Sequence, residues 1–523
     1  LTLSSIPAQA MQLRTLLSLA LCATPVLAQG DFDLEKRSAA RLGASMDLDI
    51  EGAPPVSLLL LIPSTTAGPT PLFVIDPSDT RALSVGTDLL GAAGVLFTNP
   101  SGDASFSLGL PVNPALSGVE LNFQAIQVTL AANFFGQLSN PVTALTGVGN
   151  TGVIATAALN TARAFSANLV DGDNNNSGGD VLITGGGVGT LTSATGLAST
   201  ELWNFRSMRV TSGPNMSTPR VLHSTVQLND GRVLIIGGAD QNANVLSSCE
   251  IYDPATNSFS STGSMGTTRV LFGVCRMEDG RVMVAGGTDT LDSNVVNVVT
   301  GVLNSAEIYN PNTGTWSNTS NIGGRRLAPA LTRISNNRVL VSGGVQIGFF
   351  FGIPVSASST TTCQRWSNGS WGNASSMSQG RSGHQYNQVR LNDGRILMTG
   401  GVDVPSLLGA TNAAPISGAE VYNPSNNSWQ TVNMPVSRAL HSATLLADGR
   451  VAVCGGAQGL LTAPVSIDDV HLFNPTSNSW TNAPALTGPR ASHTAQLLPD
   501  GTLALFGGQG TNNTLSSVET LRF

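Results

Sequence analysis

The chain has 523 residues, of which only 11% are charged and 58 are Gly, and its formal net charge is −7, with Lys36 as the only Lys. That balance excludes the basic footprint nucleic acid requires and makes the chain a poor match for an anionic membrane. A hydrophobic content of 41% suits much sheet packed on sheet, and the length allows more than one domain.

The first segment reads as an address. Residues 1–10 look like an upstream extension, with Met11 as the start. Met11-Gln-Leu-Arg14 is a short basic leader, residues 16–22 are apolar, and Val26-Leu27-Ala28 is a small-residue cleavage site. This pattern predicts a secretory signal over 11–28, with Gln29 as the first mature residue. A lipoprotein reading would use Cys22, but Leu21 stands where a small residue is wanted. The expectation is an exported protein, extracellular, cell-surface or periplasmic. No later stretch has the ~18 uninterrupted apolar residues of a spanning helix.

Residues 29–145 carry no repeat. Apolar runs at 56–62, 71–75, 104–110 and 119–128, split by Pro and Gly, predict a small β-sandwich. The stretch 114–123 (PALSGVELNF) resembles one met in small modules of bacterial secreted proteins. Gly147-Val-Gly149-Asn-Thr-Gly152 matches a dinucleotide fingerprint by letter, but no βαβ unit surrounds it, so it reads as linker.

From 146 to 523 the chain repeats. Gly-Gly pairs at 185, 237, 286, 343, 400, 455 and 507 are spaced by 52, 49, 57, 57, 55 and 52 residues. In six of the seven units an Arg stands 17 to 19 residues before the pair; Arg163 stands 22 before, because the polar stretch 171–180 intervenes. A period near fifty marks a repeat architecture. Each unit predicts four short antiparallel strands, A to D. Strand A follows the Arg, and an Asp-Gly turn such as Asp230-Gly231 leads to strand B. Strand B ends at the Gly pair, where positive φ or a close backbone approach is needed. Strand C carries an aromatic (Trp203, Tyr252, Tyr309, Tyr422, Phe473), and strand D carries another (Phe259, Trp316, Trp371, Trp429, Trp480). Two units depart from this: Val210 replaces the first strand D aromatic, and Asn336-Asn337 replaces Asp-Gly in the fourth.

The Gly-Gly pair, the strand C aromatic and the Trp seven residues later resemble the Kelch family of β-propellers. The resemblance implies an all-β chain: a seven-bladed Kelch-type propeller behind a small sandwich-like domain. The last unit stops after strand C, and residues 152–163 match the spacing of 479–490. Strand 152–160 is therefore expected to complete the seventh blade and hide its edge.

Four cysteines follow the signal segment: Cys249, Cys275, Cys363 and Cys454. They match no zinc spacing and read as core thiols, with a Cys249–Cys275 bridge as the sharper alternative.

The A–B and C–D turns are short. The B–C loops (188–198, 239–247, 288–304, 345–360, 402–417, 457–466, 509–516) are long and variable and share one rim with the Arg residues. Recognition sits on variable loops over a rigid scaffold, so this rim is the expected binding face. Four sets of residues compete there. The Arg ring (Arg163, Arg220, Arg269, Arg326, Arg381, Arg438, Arg490) reads either as an electropositive mouth for an anionic sugar or as bracing. Recurring Glu201, Glu250, Glu307, Glu420 and Glu519 favour bracing, through Arg–Glu or Arg–carbonyl pairs between blades. His223, His384, His441 and His493 each follow their Arg by three, so a metal at the axis is weighed against an incomplete ring. Phe349, Phe350 and Phe351 are adjacent in a rim loop, ready to cap the channel, dock a domain, or stack on a sugar or partner. Asp171, Asp173, Asn175 and Asp180 resemble the start of a calcium loop, with Asn176 in place of the expected Gly.

Neither HExxH nor GxSxG occurs. Galactose oxidase shares the Kelch-like propeller and uses copper with Tyr, His and a Tyr–Cys link, yet Tyr252, Tyr309 and Tyr422 here hold a repeated structural place. The sequence points to a binding module for a protein or glycan ligand. A carbohydrate-active enzyme of oxidase or epimerase type, working at the axial mouth, is the alternative. No cofactor is required, calcium being the one left open.

Overall fold

The computed structural model describes residues 33–36, 45–51, 53–65, 67–71, 82–85, 89, 93–110, 120–128, 135–138, 142–145, 152–170, 180–188, 195–204, 209–292, 295–334, 337–351, 353–384, 387–406, 412–460, 463–498 and 501–523. They fall into two compact units divided near residue 150.

The first unit is built of β-sheet. Asp33–Lys36, Ser45–Glu51 and Ala104–Gly109 form one sheet. Val142–Leu145, Glu120–Val128, Leu58–Ser64 and Gly94–Phe97 form another, with Phe135–Leu138 also paired to Glu120–Val128. Met46, Leu48 and Ile50 from the first sheet share a core with Leu59, Leu61, Phe123 and Ala125 from the second, as in a sandwich. Three of the apolar runs read from the sequence become strands here. The strand Ser45–Glu51 had no such signal, because Asp47, Asp49 and Glu51 alternate with its apolar face.

Among the described residues, the second unit holds seven four-stranded antiparallel sheets. Sheet 2 is representative: Ser224–Gln227 (A), Val233–Ile236 (B), Cys249–Asp253 (C) and Ser258–Thr262 (D). Inner strands of consecutive sheets touch in chain order, and Thr494–Leu497 of sheet 7 touches Ala167–Val170 of sheet 1, so the array returns on itself. Sheet 7 takes three strands from the chain's last residues and its outer strand, Gly152–Ala158, from the start of the unit, with Thr156 opposite Glu519.

Local chemistry explains each element. The A–B turns place Gly231, Gly280, Gly394, Gly449 and Gly501 at φ between 81 and 89°. Asn337 takes that place in sheet 4 at φ 52°, a conformation Asn tolerates. Strand B is buried along its whole length because both of its faces meet neighbouring sheets. Strand C aromatics pack on the preceding sheet: Tyr309 joins Leu234 and Ile251, and Tyr422 joins Leu340 and Cys363. Each also meets its strand D partner, Tyr309–Trp316 at 5.2 Å and Phe473–Trp480 at 5.0 Å between ring centres. The indole N–H groups of Trp316, Trp371, Trp429 and Trp480 donate to carbonyls of Gly263, Ser320, Ser375 and Val432 on the preceding repeat. The strand D aromatic therefore stitches sheet to sheet as well as filling space.

Candidate functional site

The Arg residues and Gly pairs form one lattice. In sheet 3, Arg269 sends Nη1 to the carbonyls of Gly286 (3.1 Å) and Ser305 (3.1 Å), and Nη2 to Ser305 Oγ (2.9 Å) and Glu307 Oε1 (2.7 Å). The other carboxylate oxygen, Glu307 Oε2, accepts the Gly266 N–H at 2.6 Å. The partners of Arg269 itself, Gly286, Ser305 and Glu307, lie in the repeat that it opens, and Gly266 lies just before it. The expected pairing between blades therefore falls to the backbone: the carbonyl of Arg269 accepts the N–H of Gly238 on the preceding sheet at 3.1 Å. Gly237 and Gly238 take φ 55 and 87°, and a Cβ on Gly237 would stand 2.8 Å from that carbonyl oxygen. Both needs named for these glycines, positive φ and close approach, apply together. The same link recurs round the array and closes where Gly508 donates to the carbonyl of Arg163 at 2.9 Å.

Five units carry the full ion pair: Arg163–Glu201, Arg220–Glu250, Arg269–Glu307, Arg381–Glu420 and Arg490–Glu519. Burial pulls the Arg381 guanidinium below its ordinary pKa, and Glu420 opposes that pull. Two units depart. In sheet 4, Gln364 replaces Glu, and its Oε1 still accepts the Gly323 N–H at 2.7 Å. In sheet 6, His471 replaces Glu and its Nδ1 takes Arg438 Nη2 at 2.8 Å. The residue whose N–H a Glu would accept there is Pro435, which has none, so the lost acceptor and the lost donor coincide.

The four His residues serve the same framework. His223 Nε2 meets Thr184 Oγ1 at 2.8 Å, His384 meets Ser342 Oγ at 3.3 Å, His441 meets Thr399 Oγ1 at 2.8 Å and His493 meets Ser442 Oγ at 3.0 Å. Each hydroxyl belongs to the preceding sheet. Burial, with Arg220 and Arg163 nearby, pushes His223 down to about 3; burial and the adjoining Arg381 and Arg490 do the same to His384 and His493. Arg220, Arg381, Arg438, Arg490 and these four His are all buried, so none of the eight presents a charge at the rim. Sequence reading missed one partner of the Arg, the hydroxyl two residues before the Glu. Ser199, Ser248, Ser305, Thr362 and Ser517 repeat in register and could have been found by that spacing.

The rim is different. Among the described residues of the second unit, the large apolar side chains left exposed are Val188, Phe350, Phe351, Ile353, Val355, Leu460 and Val465. Every one lies on a B–C loop. The loop of sheet 4 is a hairpin, Val345–Phe350 with Ile353–Ser359, joined at its base by Arg325–Leu327. Phe351 is 90% exposed and stacks edge-on to Phe350 at 4.5 Å, while Phe349 is covered by the Arg325 guanidinium at 4.8 Å. The three adjacent Phe thus divide, one held inward and two outward. Val188 and the sheet 6 pair were not foreseen, because their apolar residues are scattered among Gly, Thr and Ala rather than gathered in one run as the three Phe are.

Asp171, Asp173 and Asn175 lie outside the described residues, and Asp180 opens strand B of sheet 1. Tyr386, the one Tyr of the four in the chain that is not at the strand C place, also lies outside them. Cys249 and Cys275 are free thiols, like Cys363 and Cys454, and burial pushes Cys275, Cys363 and Cys454 up to about 12.

The Kelch motif profile matches residues 220–266. Kelch-like protein 33 of Homo sapiens is 35% identical over 99 residues, 18% of this chain and 17% of that protein, so the chain spans about a sixth of this relative. A solved structure titled a novel fungal alcohol oxidase of the AA5 family, in complex with copper, superposes with TM-score 0.56 at 18% identity, covering 72% of this chain and 76% of its own. A structure titled YjhT gives TM-score 0.45 at 13% identity, covering 62% of this chain and 99% of its own. The described residues do not fit a copper centre. Tyr252 and Tyr422 donate to Asn257 and Asn427, Tyr309 pairs with Thr262, and the four His sit on separate sheets, each paired with a hydroxyl. No group of three or more His, Cys, Asp or Glu among the described residues is placed to hold a metal. This chain is an all-β protein whose repeats form a Kelch-type propeller.

Proposed function

We propose that the propeller is a binding module that engages a protein or glycan ligand through its B–C rim. One observation carries this: the exposed large apolar side chains of the unit gather on those loops and nowhere else among its described residues. Grouped apolar exposure marks an interaction surface, while the buried Arg lattice supplies the rigid support such loops need. The Kelch motif supports a protein as ligand. The fungal oxidase likeness extends to the fold alone, and the enzymatic alternative draws no support from the donor set. The leader-like segment supports export, which N-terminal sequencing of protein from the medium and periplasm would test.

The test is a glycan array beside a pull-down, comparing the parent with Phe350→Ser and with Leu460→Ser/Val465→Ser. Loss of a bound ligand in a rim variant of unchanged melting temperature is expected. Binding untouched by both variants would move the site off this rim. Arg381→Met serves as a control for damage to the scaffold.

A further inference from the structure

The sheet 4 hairpin does not stand alone. Val299 and Val302 from the sheet 3 loop, and Val345, Ile347 and Ala357 from the hairpin, form one small core, with Val404 of the sheet 5 loop packed against it. Ser359 N–H donates to the Val404 carbonyl at 2.9 Å, and the Arg325 guanidinium donates to the Val302 carbonyl at 2.8 Å. Three neighbouring loops are thus one built platform. Its crest is apolar and free of charge: Phe350, Phe351, Ile353 and Val355 are 64, 90, 66 and 58% exposed. Phe351 holds this place at φ 48°, in the left-handed region a bulky side chain rarely occupies.

The loops packed against the hairpin carry the charge. The sheet 3 loop carries exposed Asp289 and Asp292, and the sheet 5 loop carries Asp403. Across all seven B–C loops there are four Asp, counting Asp240, and neither Lys nor Arg. Arg325 is the one base of the platform, stacked on Phe349 behind the crest. An apolar crest whose adjoining loops are acidic and lack bases is the complement of an amphipathic helix whose apolar stripe is bordered by Lys or Arg. The same loops, lacking any base, are a poor match for anionic lipid.

We propose that the sheet 3–5 platform docks a basic amphipathic helical segment of a protein partner. Its apolar stripe lies over Phe350, Phe351 and Ile353, and its basic residues meet Asp289, Asp292 and Asp403. This rests on the rim reading above and names the partner chemistry for one part of the rim.

The probe is a synthetic Leu/Lys amphipathic peptide of about 18 residues, five helical turns, beside its Leu/Glu counterpart, titrated against the full chain by fluorescence anisotropy. The Leu/Lys peptide should bind, more weakly as salt rises, and the Leu/Glu peptide should not. Phe350→Ser/Phe351→Ser should weaken binding about tenfold or more, and Asp289→Asn/Asp292→Asn/Asp403→Asn should weaken it and flatten the salt dependence. Equal binding of both peptides, or no binding of either, overturns the proposal. If Leu460→Ser/Val465→Ser abolishes binding while the Phe pair does not, the rim reading stands and this platform falls. If neither matters, both fall. Flotation of the parent with phosphatidylcholine vesicles, lost in the Phe pair, would make the crest a lipid contact instead. A parent dimer that the Phe pair dissolves in sedimentation would make it a self-interface.

Discussion

At the scale of single residues, the second unit is held by buried guanidinium groups whose Nη atoms are paired, although the Nε of Arg269, Arg326, Arg381, Arg438 and Arg490 has no hydrogen-bond partner. Arg381 donates to the carbonyls of Gly400 and Gly418 and to Glu420, and all of these partners are withdrawn from water. Arg381→Met would leave Glu420 buried without its cation, and breaking such a pair costs about 3–5 kcal/mol. Chemical denaturation should show that loss, while a variant that changed only ligand binding would contradict the bracing role. The His residues add a pH dependence. His223, His384 and His493 sit at about 3 when folded, against an ordinary value near 6.5. The unfolded chain therefore takes up protons first as pH falls. The stability these neutral imidazoles contribute is complete above ~6.5 and is lost progressively down to ~3, by at most about 1.4 kcal/mol per pH unit for each. Urea midpoints measured between pH 7 and pH 4 should fall, and His223→Gln should reduce the slope. A flat profile in the parent would refute the assignment.

At the scale of elements, each sheet is a repeated solution with local exceptions, and the exceptions are the most testable. Trp480 donates its indole N–H to Val432 while packing on Phe473, whereas sheet 2 does the same packing with Phe259, which has no N–H. Trp480→Phe should therefore keep the fold and lose about 1 kcal/mol, the net worth of one hydrogen bond. Sheet 6 offers the converse. His471→Glu alone gives Arg438 a carboxylate whose second oxygen faces Pro435 and finds no N–H. With Pro435→Ser added, the arrangement of sheet 3 is restored. The double variant should be more stable than His471→Glu alone by about 1.5–3 kcal/mol, the range for a charged hydrogen bond; equal midpoints for the two would show that the coincidence of Pro435 and His471 has no structural meaning. Elements of this kind were legible in the sequence because the Arg, the Gly pair and the strand C and D aromatics recur in register. The pairing inside rather than between repeats was not legible. Spacing along the chain locates a Glu in strand C but does not say which neighbouring Arg its side chain reaches.

At the scale of the whole molecule, the period near fifty told how the second unit is made, since a radial sheet needs the same turns and the same buried strand each time. The first unit was read less fully. Its longer apolar strands, Leu58–Ser64 and Glu120–Val128, were visible as apolar runs, but Ser45–Glu51 shows only as an alternation of acidic and apolar residues, the others are short, and no repeat amplifies the signal. The apolar crest was partly visible as three adjacent Phe, but its acidic neighbours come from loops about fifty residues away on either side, which only the packing of Val299, Ile347 and Val404 brings together. Closure is the property that belongs to no single sheet. Gly152–Ala158 pairs with Ser517–Arg522, joining the two ends of the unit through a backbone ladder. Without it, the outer edge of Ser517–Arg522 would stand open as a template for other strands. Ala157→Pro tests this with one atom group, because Ala157 stands opposite Val518 in a hydrogen-bonded pair, and Pro removes that donor and is tolerated only where no ladder bond is needed. The expected result is a melting temperature lowered by several degrees, early proteolytic loss of the segment before Arg163, and concentration-dependent association through the freed edge. A matched Pro in a C–D turn, Thr256→Pro, leaves closure alone. If both variants melted together and stayed monomeric, the strand would be an ornament on a ring held by Gly508 and Arg163. If only Ala157→Pro associates, closure is what keeps this array of sheets a single molecule.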